Sequence, residues 1–305
     1  MKAGTVAEKL AAAWRDPRFW SEAWQAAREK SLFARQRPER AGTDWWNRRA
    51  ARFAAQTQEG DIEERVAKVM HMLGHKDALK KEARLLDIGA GPGNFALPLA
   101  RRVQQVVALD PAGEMLEILR QRAQEQGIAN VEAVNRAWEE VDLDAAGWQG
   151  AFDVVLALMT PALKDEESLR KMLAACRGVF LAGGHLRRED PVRQELWREL
   201  GLGEMPEICP DPFYVFHWLY ASGFCPDLEV SCHCFERELL PDEARAELED
   251  FLFPYLELTP QIRERVGDFV EKRSRSGTFR ITRFFVVGWV LCSVKPQGHP
   301  RHHHH

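Results

Sequence analysis

The segment 83–187 constrains this chain most, because within it short β-rich runs alternate with helical stretches. The strand candidates are 84–88, 106–109, 131–134, 152–158 and 178–182, with helical patterns at 94–103, 112–126 and 165–176 between them. Neighbouring parallel strands need a crossover, usually a helix, whereas a two-residue turn closes only an antiparallel pair. This alternation therefore predicts a mostly parallel sheet with helices on both faces.

The flanks differ. Residues 1–82 read as helices, with apolar side chains at helical spacing in Leu10 and Trp14, Trp20 and Trp24, and Val66, Val69, Met70 and Leu73. Pro17, Pro38 and the run Gly42-Thr43-Asp44 punctuate them. Residues 188–296 give helices at 191–200, 213–222, 241–257 and 260–274 and strands at 228–238 and 279–292. Two late strands suit an antiparallel edge. The expected fold class is α/β: a doubly wound, mostly parallel seven-stranded sheet whose last strand is antiparallel. An N-terminal helical lid (1–82), a core (83–187), a C-terminal α+β section completing the sheet (188–296) and a tail (297–305) make up the expected organisation.

Composition removes other classes. Hydrophobic residues are 45% and charged residues 29%, as in a soluble globular protein. The apolar run 284–291 is too short to span a bilayer, and Glu8 and Lys9 interrupt any N-terminal leader core. Six cysteines without framework spacing suit a reducing cytoplasm, which is the expected location. The histidines at 302–305 read as an expression tag. Residues 1–82 carry 17 Lys and Arg against 12 Asp and Glu, while the whole chain has a net charge of −4. A basic patch is thus local, whereas strong nucleic-acid binders are usually basic overall or along a stripe.

The chemistry concentrates in Leu85-Leu86-Asp87-Ile88-Gly89-Ala90-Gly91-Pro92-Gly93-Asn94. A strand enters a glycine-rich turn that opens a helix. Glycine permits the sharp turn and a close approach of backbone to ligand, and the helix start offers free N–H groups. The next strand ends in Asp110-Pro111, where a carboxylate can accept from both hydroxyls of a ribose.

The spacing Gly89-x-Gly91-x-Gly93 with Asp87 ahead, Asp110 after the second strand and Phe152-Asp153-Val154-Val155 in the fourth resembles the class I S-adenosylmethionine-dependent methyltransferase family. The resemblance implies a cofactor, S-adenosylmethionine, released as S-adenosylhomocysteine. It implies that Asp87, Gly89, Ala90, Gly91 and Gly93 hold the methionine part, and that Asp110 and Pro111 lie at the ribose. It places Met115 on the adenine. The family often has an Asp beside Ala after the third strand; here Arg136 stands there, so the adenine would be read by Ala137, Trp138 and Glu139. Trp138 and Met115 can equally be core. Met159 and Thr160 end the fourth strand, where the methyl group would be delivered. Thr160-Pro161-Ala162 lacks the N/D-P-P-Y/F of enzymes that methylate bases or glutamine.

If an acceptor loses a proton, a base helps. His185, His217 and Tyr214 are the catalytic candidates, the last two sharing a helix face at i,i+3. Trp45, Trp46, Arg49, Thr160, Tyr214 and His217 are the substrate-binding candidates. The tryptophans would line an apolar pocket, and Arg48, Arg49 or Arg52 would hold a carboxylate or phosphate. Trp20 and Trp24 read as helix packing. Cys232 and Cys234 share a strand face while His233 points away, and no C-x-x-C pair occurs, so no metal is expected. The leading expectation is a methyltransferase acting on an O, N or S atom of a small molecule, with no membrane partner. The alternatives are an RNA or protein methyltransferase using the basic Trp-bearing N-terminal region, and a non-catalytic cofactor-binding protein.

Overall fold

The structure is a computed structural model that describes residues 13–58 and 62–294. Leu10 and the tail 297–305 lie outside the described residues. Seven strands form one sheet in the order β3-β2-β1-β4-β5-β7-β6. They are β1 (Arg84–Ile88), β2 (Gln105–Asp110), β3 (Val131–Asn135), β4 (Phe152–Leu158), β5 (Cys176–Glu189), β6 (Asp227–Leu239) and β7 (Phe279–Ser293). β7 pairs antiparallel with both β5 and β6, so it alone runs against the rest. The doubly wound sheet with an antiparallel last strand is the expected one. β5 is longer than its apolar run suggests: it continues through Arg187, Arg188 and Glu189 because β7 supplies a partner for that polar half.

Alternation along the strands sorts side chains to two cores. Leu85, Val154, Leu156 and Leu158 face one layer, formed by α3 (Ile62–His75), α4 (Ala96–Ala100) and α5 (Gly113–Glu125). Leu86, Ile88, Val155 and Ala157 face the other, formed by α6 (Glu166–Ala175), α8 (Asp211–Ala221) and Trp24 of α1 (Pro17–Lys30). A third core joins α7 (Pro191–Glu199), α9 (Pro241–Leu252) and α10 (Pro260–Arg273) to the far ends of β6 and β7. Asp165 and Thr259 accept N–H bonds from the first turns of α6 and α10, fixing where those helices begin.

The remaining helix, α2 (Thr43–Gln58), lies on α5, where Ala50 packs with Ala112 and Met115, flanked by Trp46 and Phe53. Asn47 Oδ1 accepts the Glu114 N–H at 3.1 Å, giving a partner to an otherwise free first-turn donor of α5. α2 is thereby seated beside the C-terminal edge of the parallel strands, where ligands bind in open α/β sheets. Among the described residues, no helix is long and apolar enough to cross a membrane.

Candidate active site

The glycine turn leaves β1 with positive φ at Gly89 (76°), Gly91 (53°) and Gly93 (84°), a region that side chains rarely enter. Gly89 also meets Thr160 so closely that a Cβ there would collide with the threonine side chain. Asp110 binds this turn directly. Its Oδ2 accepts the Gly91 N–H at 2.9 Å and its Oδ1 accepts the Ala112 N–H at 2.8 Å. Asn135 Nδ2 donates to the Asp110 and Pro111 carbonyls at 3.0 and 2.8 Å, fixing the turn after β2.

Two buried acids stand here without a cation. Asp87 is 2% exposed, and its Oδ2 has no hydrogen-bond partner. Burial first, and the nearby charge of Asp110 second, push its carboxyl up to about 7, with the Ala96 N–H acting the other way. Burial also raises Asp110, against its two backbone N–H bonds. A ligand with a positive group and vicinal hydroxyls fits these needs. It would donate to the unpartnered Oδ2 of Asp87 and reach Asp110 over a backbone that carries no Cβ at Gly91.

At the end of β4, Met159 holds a positive φ of 53°, fixed by its N–H bond to the Gly183 carbonyl at 2.8 Å. Such strain in a non-glycine residue gathers at functional sites. Thr160 follows and turns back, its Oγ1 accepting the Ala162 N–H at 3.2 Å. Met159 and Thr160 form part of the wall of a cavity of about 1030 Å³ that extends from β4 and β5 toward α2, α9 and the β6–β7 pair.

The family model described as "Methyltransferase domain" matches residues 85–184, the stretch that contains this turn, Asp110 and Thr160. Residues 85–184 are thus similar in sequence to methyltransferase domains. An uncharacterized protein of Haemophilus influenzae is 30% identical over 174 residues, covering 54% of this chain and 60% of that protein. The ubiquinone biosynthesis O-methyltransferase of Pectobacterium carotovorum is 34% identical over 104 residues, covering 34% and 41%. The ribosomal RNA small subunit methyltransferase G of Aeromonas salmonicida is 37% identical over 101 residues, covering 32% and 46%. The chain thus spans between 41% and 60% of the length of these relatives.

The fold brings some of the sequence candidates together and separates others. Trp45, Trp46, Arg49, Met159, Thr160 and His185 all line the cavity. The indoles of Trp45 and Trp46 meet edge to face at 4.6 Å, and the Arg49 guanidinium lies 4.5 Å from the Trp45 ring. His185 stacks against Phe285 at 5.2 Å, and its Nδ1 is buried without a partner. Burial, then the charges of Arg188, Arg65 and His233, lower its pKa to about 3, so the imidazole is neutral.

Tyr214 and His217 do not line this cavity. His217 packs against Trp20 and Phe213, each 4.2 Å away, and its Nδ1 bonds to the Phe213 carbonyl at 2.7 Å. The helix register that puts Val215, Trp218 and Leu219 in the core turns His217 toward α1 instead. The Trp138 ring is turned into the core, the other of the two places open to it from the sequence. It is 2% exposed, lies in the core under α6, and carries Lys171 Nζ 4.8 Å from its ring. Glu139 pairs with Lys164 at 2.5 Å, and Met115 is enclosed under α2. For these segments, the Ala137 and Trp138 backbone is what remains to face a ligand.

Trp24 is core, its Nε1 donating to Asp211 Oδ1 at 2.6 Å. Cys232 and Cys234 are exposed on β6, and His233 shares a hydrogen bond with Ser231 Oγ at 2.9 Å. No group of three or more His, Cys, Asp or Glu is arranged to hold a metal ion among the described residues. Residues that sequence reasoning passed over include Arg188, Asp190, Arg193, Glu247 and Arg283, which make up the far wall of the cavity. The only signal was their arginine density near the end of β5.

Proposed function

We propose that this chain transfers a methyl group from S-adenosylmethionine to a small molecule bound in the cavity beyond Thr160. One observation carries the reading: the cavity begins at Met159 and Thr160, beside Gly89, and is closed over by parts of the same chain, α2 on one side and β6–β7 with α9 on the other. Asp87, the glycine turn and Asp110 would hold the cofactor. When bound, it supplies an electrophilic methyl on a sulfonium.

The chain's own residues provide position and exclusion of water. Trp45, Trp46 and Phe285 offer flat apolar walls on which a ring can rest. The neutral His185, with a free ring nitrogen, can accept a hydrogen bond from an O–H or N–H of the acceptor and so direct its lone pair. With its pKa near 3 it orients that group rather than retaining its proton.

An RNA acceptor is the second reading, favoured by the relative named as a ribosomal RNA methyltransferase and by the basic N-terminal region. The placement of the cavity between α2, α9 and the β6–β7 pair of the same chain supports the small-molecule reading instead.

The test uses methyl-labelled S-adenosylmethionine with the purified protein and an extract of its source organism. Label is expected in the small-molecule fraction. Label confined to nuclease-sensitive or protease-sensitive material would replace this reading with a macromolecular acceptor. Cofactor binding without label in any fraction would favour a non-catalytic binder.

A further inference from the structure

Beyond His185 the cavity runs into a wall of buried charge that the transfer reaction does not use. Asp190, 1% exposed, starts α7 by accepting the Arg193 N–H at 3.2 Å. Its Oδ2 lies 2.8 Å from Arg283 Nε, 3.1 Å from Arg193 Nε and 3.5 Å from Arg188 Nη2. Glu247, 7% exposed, pairs with Arg283 and lies 3.8 Å from both Arg193 and Arg237. Four guanidiniums therefore share two carboxylates. Of the four, Arg188 makes only the longest contact with Asp190, and its planar fork of five donors is largely unspent.

A fifth cation lines the same cavity from α2. Arg49 of α2 sits over Trp45 and Trp46, makes no ion pair among the described residues, and has a buried Nε without a hydrogen-bond partner. Asp250, the carboxylate nearest in effect, is taken by Arg52. Burial lowers the proton affinity of Arg49, and the charges of Arg52 and Arg188 add to it against Asp250 and Glu247. His233 and Tyr255 also line this end of the cavity and bring no negative side chain that is ordinarily ionised at neutral pH. Arg49 and Arg188 are half-buried, and positive charge held partly away from water is costly unless a counter-charge meets it. Glu64, Glu189, Glu207 and Glu236 also line the cavity but are exposed to water, which screens them, and Glu189 already pairs with Arg187.

We propose that Arg49 and Arg188 form an oxyanion subsite, and that the acceptor molecule carries a carboxylate or phosphate held between them, its apolar body lying against Trp45 and Phe285. A guanidinium presents two parallel N–H groups that match either oxyanion. The subsite rests on the reading that the acceptor occupies this cavity. It adds the chemical class of the acceptor: an anionic, flat small molecule whose charged end is remote from the atom at Thr160.

The probes are 2-naphthoate, 2-naphthyl phosphate and the neutral 2-naphthamide, each titrated calorimetrically into the full chain saturated with S-adenosylhomocysteine. At least one anion is expected to bind ten or more times tighter than the amide, and the stronger of the two identifies carboxylate or phosphate. Arg49→Gln and Arg188→Gln should each weaken that anion about tenfold, the size of one charge-assisted hydrogen bond, and leave the amide unchanged. Amide binding equal to that of both anions, including no binding by any of the three, overturns the subsite. So does an anion affinity that neither variant alters. The S-adenosylhomocysteine titration of each variant reports whether its fold is intact, and the two variants stand as independent tests. Anion binding by a wild-type chain that takes no S-adenosylhomocysteine would instead defeat the methyltransferase reading and keep the subsite.

Discussion

The Gly91 N–H donates to Asp110 Oδ2 across 2.9 Å, so the tip of the glycine turn and the acid at the end of the second strand are held as one unit. Asp87 stands close enough that the charge of Asp110 raises its carboxyl, after burial, to about 7. The folded chain therefore keeps a proton that the unfolded chain releases near pH 4. By linkage, stability without cofactor falls as pH rises from about 4 to about 7, by a few kcal/mol in order of magnitude. Denaturant midpoints across this range should show that decline in the wild type and a flatter profile in Asp87→Asn. A positive cofactor favours the ionised acid, so affinity for S-adenosylmethionine should rise with pH through about 7, with proton release on binding. A pH-independent affinity would contradict the assigned protonation.

Gly89 and Thr160 are in direct conflict with any added side chain. Gly89→Ala combines that collision with a φ of 76° and should cost about 1–3 kcal/mol in chemical denaturation. Removing the opposing side chain in Gly89→Ala/Thr160→Gly should recover part of the loss. No recovery would assign the whole cost to the backbone angle.

Arg122 ties α2 to the glycine turn. Its Nη1 donates to the Pro92 carbonyl and Asn94 Oδ1, and its Nη2 to the Ala54 carbonyl, each at 3.1 Å. Arg122→Ala removes about 1–2 kcal/mol of tethering and should speed amide exchange in α2 roughly tenfold or more. Unchanged exchange would mean that the packing around Met115 holds α2 by itself.

His185 is neutral across the working pH range, with a pKa lowered to about 3. Its titration should leave no inflection in the rate between pH 6 and 9. His185→Ala should lower turnover by about 10- to 100-fold while S-adenosylhomocysteine affinity stays unchanged. An inflection near pH 6.5 that vanishes in the variant would show a charged imidazole instead.

The parts legible in the sequence are those governed by local rules. The β-rich runs at 84–88 and 152–158, and a turn that needs three glycines, announce themselves in single residues. The dual role of Trp138 and Met115 was not decidable at that level, because an apolar residue beside a ligand and one in a core look alike along the chain. The direction of His217 was not legible because its neighbours Phe216 and Trp218 are both apolar, and only the packing of α1 against α8 decides which way the helix turns. The arginine wall is built from β5, β6, β7, α2 and α7, so its charge excess exists only after folding brings Arg49 and Arg188 to one cavity. Arg188, Asp190 and Arg193 read along the chain as an ordinary solvated charge run.

The most direct test of the account is a calorimetric titration of S-adenosylmethionine into the wild type and Asp110→Ala. The account predicts saturable one-to-one binding to the wild type and its loss in the variant, with the fold retained by circular dichroism. Equal affinity in the two proteins, or no binding to the wild type, would contradict it.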